Sequence, residues 1–274
     1  MKPQFHLPLI TYPDPSSFSI VQNAVELARY VDATLTASMR QDTIASSNHV
    51  RSSPANRNDA DEKLSRFSTA SADTLKEVLH DYSKKGGVSS EILSISDREP
   101  FAAQTLAEFS RAFELSIMEA SAQMMPLIES ILFASGRPIV VFPTDHFCGR
   151  IDTVAIAWDG SATLSRALTG ARLFLEKASR AILISAVDDK QIDMRARDRF
   201  ATVLSNAGFS VDIRDVATAD GASPGHAIQV SALEGRADLL IAGAFGHSRF
   251  RELVLGGVTR SLLTRLEIPA LLCH

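Results

Sequence analysis

Short apolar runs alternate with segments whose apolar residues recur at helical spacing, and the whole series occurs twice along the chain. An apolar run of four to eight residues that stops at a turn former reads as a strand buried on both faces of a sheet. A striped segment of ten or more residues reads as a helix laid against it. Their strict alternation predicts parallel strands joined by crossover helices. Two such series make two tandem α/β units, each a five-stranded parallel sheet with helices on both faces, in a Rossmann-like arrangement. Both series close on a proline-containing apolar strand, Pro138 to Phe142 and Ile268 to Leu272. The units are therefore expected at 1–147 and 148–274.

In the first series the pattern predicts a strand over 4–12 and a helix capped by Ser16 or Ser17 with its stripe on Val21, Ala24, Val25, Leu27, Ala28 and Val31. A strand follows over 33–38. The polar stretch 46–61, with Val50 as its one large apolar residue, is expected as a mobile surface insertion. A helix over 62–83 stops at Lys84-Lys85-Gly86-Gly87, and strands over 89–95, 114–119 and 138–142 alternate with helices over 100–113 and 124–135. The second series gives strands at 154–158, 181–187 and 210–216 and helices at 165–176, 195–207 and 223–234.

The chain then runs through Asp238-Leu-Leu-Ile-Ala-Gly243-Ala-Phe-Gly246 to Gly256-Gly257-Val258-Thr259, where a helical stripe of Val258, Leu262, Leu263 and Leu266 begins, and ends in the last strand. Glycines after a strand and at a helix start let backbone approach a ligand closely, and helix-start N–H groups point at anions. The arrangement is able to hold phosphate. Turning the chain and packing a helix closely would call for the same glycines.

The spacing Gly243-x-x-Gly246, nine residues, Gly256-Gly257 resembles the nucleotide-binding signature of the universal stress protein family, written Gly-x-x-Gly, nine residues, Gly, then Ser or Thr. Asp159-Gly160-Ser161 after the first strand of the second unit matches the family's common start, and Gly257 stands where the family has a hydroxyl, with Thr259 two residues on. The resemblance implies an adenine nucleotide alpha hydrolase-like fold that binds ATP or a related adenine nucleotide, with Mg²⁺ where the phosphates require it. It implies Asp159 facing the ribose or the metal, the main chain around Ala186 and Val187 at the adenine, and Gly243, Gly246, Gly256, Gly257 and Val258 around the phosphates. His247, Ser248 and Thr259 complete the expected set. The alternative for Asp159 is a turn or helix-capping carboxylate. The first unit has Pro13-Asp14-Pro15 and Met118-Glu119-Ala120 at the corresponding places. It lacks the glycines, and an acidic Glu119 would repel a phosphate chain, so the first unit is expected to be a degenerate partner.

Other chemistries find less support. A net charge of −4 argues against general affinity for nucleic acid. Residues 1–148 hold 13 Lys and Arg against 18 Asp and Glu, whereas 149–274 hold 15 against 14, so the phosphate candidate lies in the less acidic half. Gly221-Ala-Ser223-Pro224-Gly225 matches a hydrolase nucleophile elbow. Pro224, however, has no N–H to give an oxyanion hole, so Ser223 reads better as a helix cap. The seven histidines make no zinc motif. Cys148 and Cys273 suit reduced thiols, and the brief apolar start and the interrupted stretch 115–142 suit neither a signal peptide nor a membrane span. A cytoplasmic nucleotide-binding protein in a regulatory or stress-response role is expected, with at most slow hydrolysis. An interaction module of the same fold that binds no nucleotide is the alternative. The closing strands are expected to pair, either between the two units or in a homodimer.

Overall fold

The computed structural model describes residues 1–40, 54–95, 102–144, 146, 149–187, 192–217, 223–244 and 257–274. The first half runs β1 (Gln4–Leu9), α1 (Phe18–Tyr30), β2 (Thr34–Arg40), α2 (Pro54–Gly86), β3 (Ser90–Ile95), α3 (Ala102–Ser110), β4 (Leu115–Glu119), α4 (Met125–Ala134) and β5 (Ile139–Phe142). The second runs β6 (Thr153–Ala157), α5 (Ala162–Gly170), α6 (Arg172–Leu175), β7 (Arg180–Ala186), α7 (Met194–Asn206), β8 (Ser210–Val216), α8 (Pro224–Glu234), β9 (Leu239–Gly243), α9 (Gly257–Thr264) and β10 (Ala270–Cys273).

The helix starts follow from their caps. Ser17, Ser161 and Ser223 each sit in extended backbone and accept a hydrogen bond from the N–H three residues on, at Ile20, Leu164 and His226. Several boundaries differ from the sequence reading: the strand expected over 4–12 ends at Leu9, the helix expected over 100–113 ends at Ser110, and the one expected over 165–176 is divided into α5 and α6. The polar stretch expected as an insertion is helical from Pro54 onward, because proline suits a first helical turn and the residues after it continue the helix that the apolar stripe starts later. Its earlier part, 46–53, lies outside the described residues. The helix expected from 165 begins at Ala162, one residue after its serine cap.

The strands form one sheet in the order β3-β2-β1-β4-β5-β10-β9-β6-β7-β8. Each half is parallel within itself and has the same internal order. The two halves meet where β5 and β10 pair antiparallel, with Ala270 opposite Val141 and Leu272 opposite Ile139. Every residue of these two strands is buried. Full burial of a Val, Ile, Leu or Phe stabilises by roughly 1.5–3 kcal/mol, so this seam is a major source of cohesion. One core layer lies under α1, α2, α5, α6 and α7, and the other under α3, α4, α8 and α9. The junction is tied to α1: Asn23 Nδ2 donates to the His146 carbonyl at 2.6 Å and the Tyr30 hydroxyl to that of Ile151 at 3.0 Å. Among the described residues no helix is long and apolar enough to cross a membrane.

Candidate functional site

In the second half β6 lies between β7 and β9, so the chain leaves β6 to one side first and returns to the other later. The carboxyl ends of strands at such a switch point flank the crevice where ligands bind in open α/β sheets. Asp159 follows the end of β6, Ala186 ends β7 with Val187 directly after it, and Gly243 ends β9. Three adjacent strands thus bring these sequence-predicted residues to one edge.

Asp159 is held by its turn. Gly160 takes a φ of +68°, a conformation that favours glycine, and this brings the Ser161 N–H to Asp159 Oδ1 at 3.0 Å. Ser161 Oγ in turn caps α5 through the Leu164 N–H at 3.1 Å. The carboxylate therefore has the turn role weighed as its alternative, two residues before the Ser161 cap, and it sits beside the positive end of a helix that also favours an anionic group nearby. Ala186 is buried, and the Val187 N–H donates to the Val216 carbonyl at 3.1 Å, so that donor is engaged with β8.

Gly243 is required by packing. A Cβ placed on it would stand 2.5 Å from Leu164 N and 2.6 Å from Thr163 Oγ1, inside the first turn of α5. Only a glycine at the end of β9 lets α5 come this close. Gly246, His247, Ser248 and Gly256 lie outside the described residues. Gly257 is the first residue of α9, Val258 follows it in the helix, and Thr259 is buried. Thr259, the hydroxyl two residues past Gly257, is a buried residue of α9.

The first half carries a different group at each of these places. The ladders β1·β4 and β6·β9 set Glu119 at the position that Gly243 has in the second half. Glu119 is buried, and its Oε1 accepts the N–H of Ser17, the cap of α1, at 3.1 Å. The loop after β1 is packed from above by α2: Thr11 Oγ1 and Ser68 Oγ lie 2.7 Å apart, and the rings of Tyr12 and Phe67 meet edge to face. The reach of α2 over this loop was not legible, since only Phe67 marked that part of the stripe.

The sequence reading also passed over Trp158, which stacks on Phe200 of α7 with ring centroids 4.9 Å apart, immediately before Asp159. A pattern search for catalytic residue types ignores such an aromatic. A groove of about 630 Å³ between β8 and α8, lined by Val216, Ala227, Val230 and His226 among others, borders the outer edge of the sheet. Ser223 is the cap of α8 with Pro224 at the first helical position.

Comparison with known proteins agrees with this architecture. Residues 150–274 match the family model described as the universal stress protein family. Universal stress protein Slr1230 of Synechocystis is 29% identical over 150 residues, 53% of this chain and 49% of its own length. The chain thus spans about half the length of that curated relative. Among solved structures, a universal stress protein from Archaeoglobus fulgidus superposes with a TM-score of 0.68 at 17% identity, covering 98% of this chain and 97% of the other. A functionally unknown protein from Pseudomonas aeruginosa PAO1 gives 0.57 at 17% identity, over 98% and 92% of the two chains. At these identities the structural likeness is one of fold.

Proposed function

Since this chain belongs to the universal stress protein family, we propose that its second unit binds ATP or a related adenine nucleotide and that the protein acts as a nucleotide-dependent regulator in a stress response. The observation that carries the reading is the convergence of Asp159, Val187 and Gly243 at the carboxyl ends of three adjacent strands that flank the switch point. The glycine spacing that resembles the family's signature leads on from that edge. In this reading Asp159 faces the ribose or a magnesium ion, and the segment from Gly246 to Gly257 surrounds the phosphates. The described residues hold no group of three or more His, Cys, Asp or Glu side chains placed for a metal ion. Magnesium would therefore arrive on the phosphate oxygens, which is its usual way of binding beside one or two carboxylates.

A second reading, an interaction module without nucleotide, draws on Gly243 and Asp159, since helix packing accounts for the first and a turn hydrogen bond for the second. Calorimetry with ATP and Mg²⁺ on the wild type and on Asp159→Ala separates the two. One saturable site per chain, weakened about tenfold or more by the substitution, supports nucleotide binding. Absence of heat at millimolar ATP, with no rise in melting temperature, rejects it, because a ligand selective for the native state must stabilise it.

A further inference from the structure

We propose that the imidazole of His6 makes the first unit acid-responsive: uptake of a proton there opens the contact between α3 and the sheet while the second unit stays closed. His6 lies in the middle of β1 and is fully buried under α3. Ser110 Oγ donates to the Leu106 carbonyl at 2.7 Å, which leaves a lone pair for the imidazole. The Nδ1–H therefore donates to Ser110 Oγ at 3.0 Å, with Ser116 Oγ at 3.2 Å, and Nε2 accepts from Ser38 Oγ at 2.8 Å. Phe113 stacks on the ring and Phe109 meets it edge on, with centroids 5.0 and 5.1 Å away. The neutral imidazole has both nitrogens satisfied.

Among the described residues a second proton has no counter-charge to meet. The hydrogen-bonding partners on β2, β4 and α3 are the three serines. Glu108 of α3 takes a hydrogen bond from Gln104, Glu114 before β4 caps the Gln4 N–H, and Glu91 is two strands away on β3, held by Thr36. An unpaired charge buried among aromatic rings and hydroxyls is costly, and water is the readiest way to solvate it. Burial accordingly lowers the pKa of His6 from 6.5 to about 3. The opened form takes up a proton from about pH 6.5 downward and the closed form does not until about pH 3. Opening is thus favoured tenfold for each pH unit lost across that window.

The second unit is a built-in reference. The ladder positions of His6, Ser38 and Ser116 are filled there by Ala155, Ile184 and Leu240, all fully buried and apolar. Hydrogen exchange of the whole chain, read by mass spectrometry at pH 7.0, 5.5 and 4.5 and corrected for intrinsic exchange, tests the idea. The expected result is protection over 102–110 and 4–9 that falls about tenfold per pH unit below 6.5, with 153–157 and 224–234 unchanged. His6→Gln, neutral at every pH used, removes the trend. If that variant does not fold, the wild-type series decides alone. A flat α3, an equal fall in both units, or the same trend in His6→Gln overturns the proposal.

Discussion

The two units solve the same local problem with carboxylates from different strands. The N–H of the serine that caps the first helix needs an acceptor. In the second unit it is Asp159, from the turn after β6; in the first it is Glu119, from the end of β4. Both carboxylates sit at the positive end of a helix, where a negative group is stabilising. The change of strand decides what else can fit. With the carboxylate on the turn, the end of β9 is left for Gly243, against which the first turn of α5 packs. With the carboxylate on β4, a Glu side chain fills that place, and Thr11 and Tyr12 of the loop after β1 pack against Ser68 and Phe67 of α2. Divergence between the repeats has changed which strand supplies the acceptor while keeping the helix start hydrogen-bonded in both.

The largest effect is expected at Gly243. Gly243→Val forces the first turn of α5 away from β9, since even a Cβ meets backbone at 2.5 Å. Overpacking of this kind costs about 3 kcal/mol, to be measured by urea denaturation followed through Trp158. Glu119 already accommodates a Cβ, so Glu119→Ala is expected to cost only what the cap was worth. If Gly243→Val were as mild as Glu119→Ala, the two ends would be equivalent and the contrast drawn above would fail.

Smaller and equal costs are expected where the capping bonds are weakened. Asp159→Ala and Glu119→Ala each remove one acceptor from a helix-start N–H, worth about 1–2 kcal/mol apiece. Their effects on ATP binding should part company, with loss at Asp159 and none at Glu119. Calorimetry on both variants sharpens the comparison: equal loss would mean that Glu119 acts on the second unit through the shared sheet. Below these come Ser17→Ala and Ser161→Ala, expected at about 1 kcal/mol each by thermal denaturation and alike within error.

The fold was legible because alternation and repetition are global patterns. The apolar runs closing each half announced strands covered on both faces, and the serines before α1 and α8 announced those helices. The Glu119 substitution was legible too, since an acid at the end of a buried strand breaks the pattern. Three features were not. The start of α2 at Pro54 is written in polar residues, where propensity gives little warning. The need for glycine at Gly243 comes from α5, about eighty residues earlier in the chain, and no local pattern holds that information. The cage around His6 gathers Ser38, Ser110 and Ser116 from three elements, each an ordinary serine in its own context.

The smallest effect is spectroscopic, and it reads the second unit alone. Trp158 is the chain's one tryptophan, and it stands between the end of β6 and Asp159, stacked on Phe200. A ligand that settles against Asp159 changes the field and packing around the indole without unfolding anything. Titration with ATP and Mg²⁺ should therefore shift or quench the emission by a few per cent to a few tens of per cent, saturating at the calorimetric Kd. Phe200→Leu alters the baseline and leaves the midpoint in place. Glu119→Ala is expected to leave both unchanged, because it changes a helix-start contact of the first unit, away from the indole. A saturable signal in Asp159→Ala equal to that of the wild type would mean that nucleotide binds away from the turn, and the assignment of the crevice to β6, β7 and β9 would have to be abandoned.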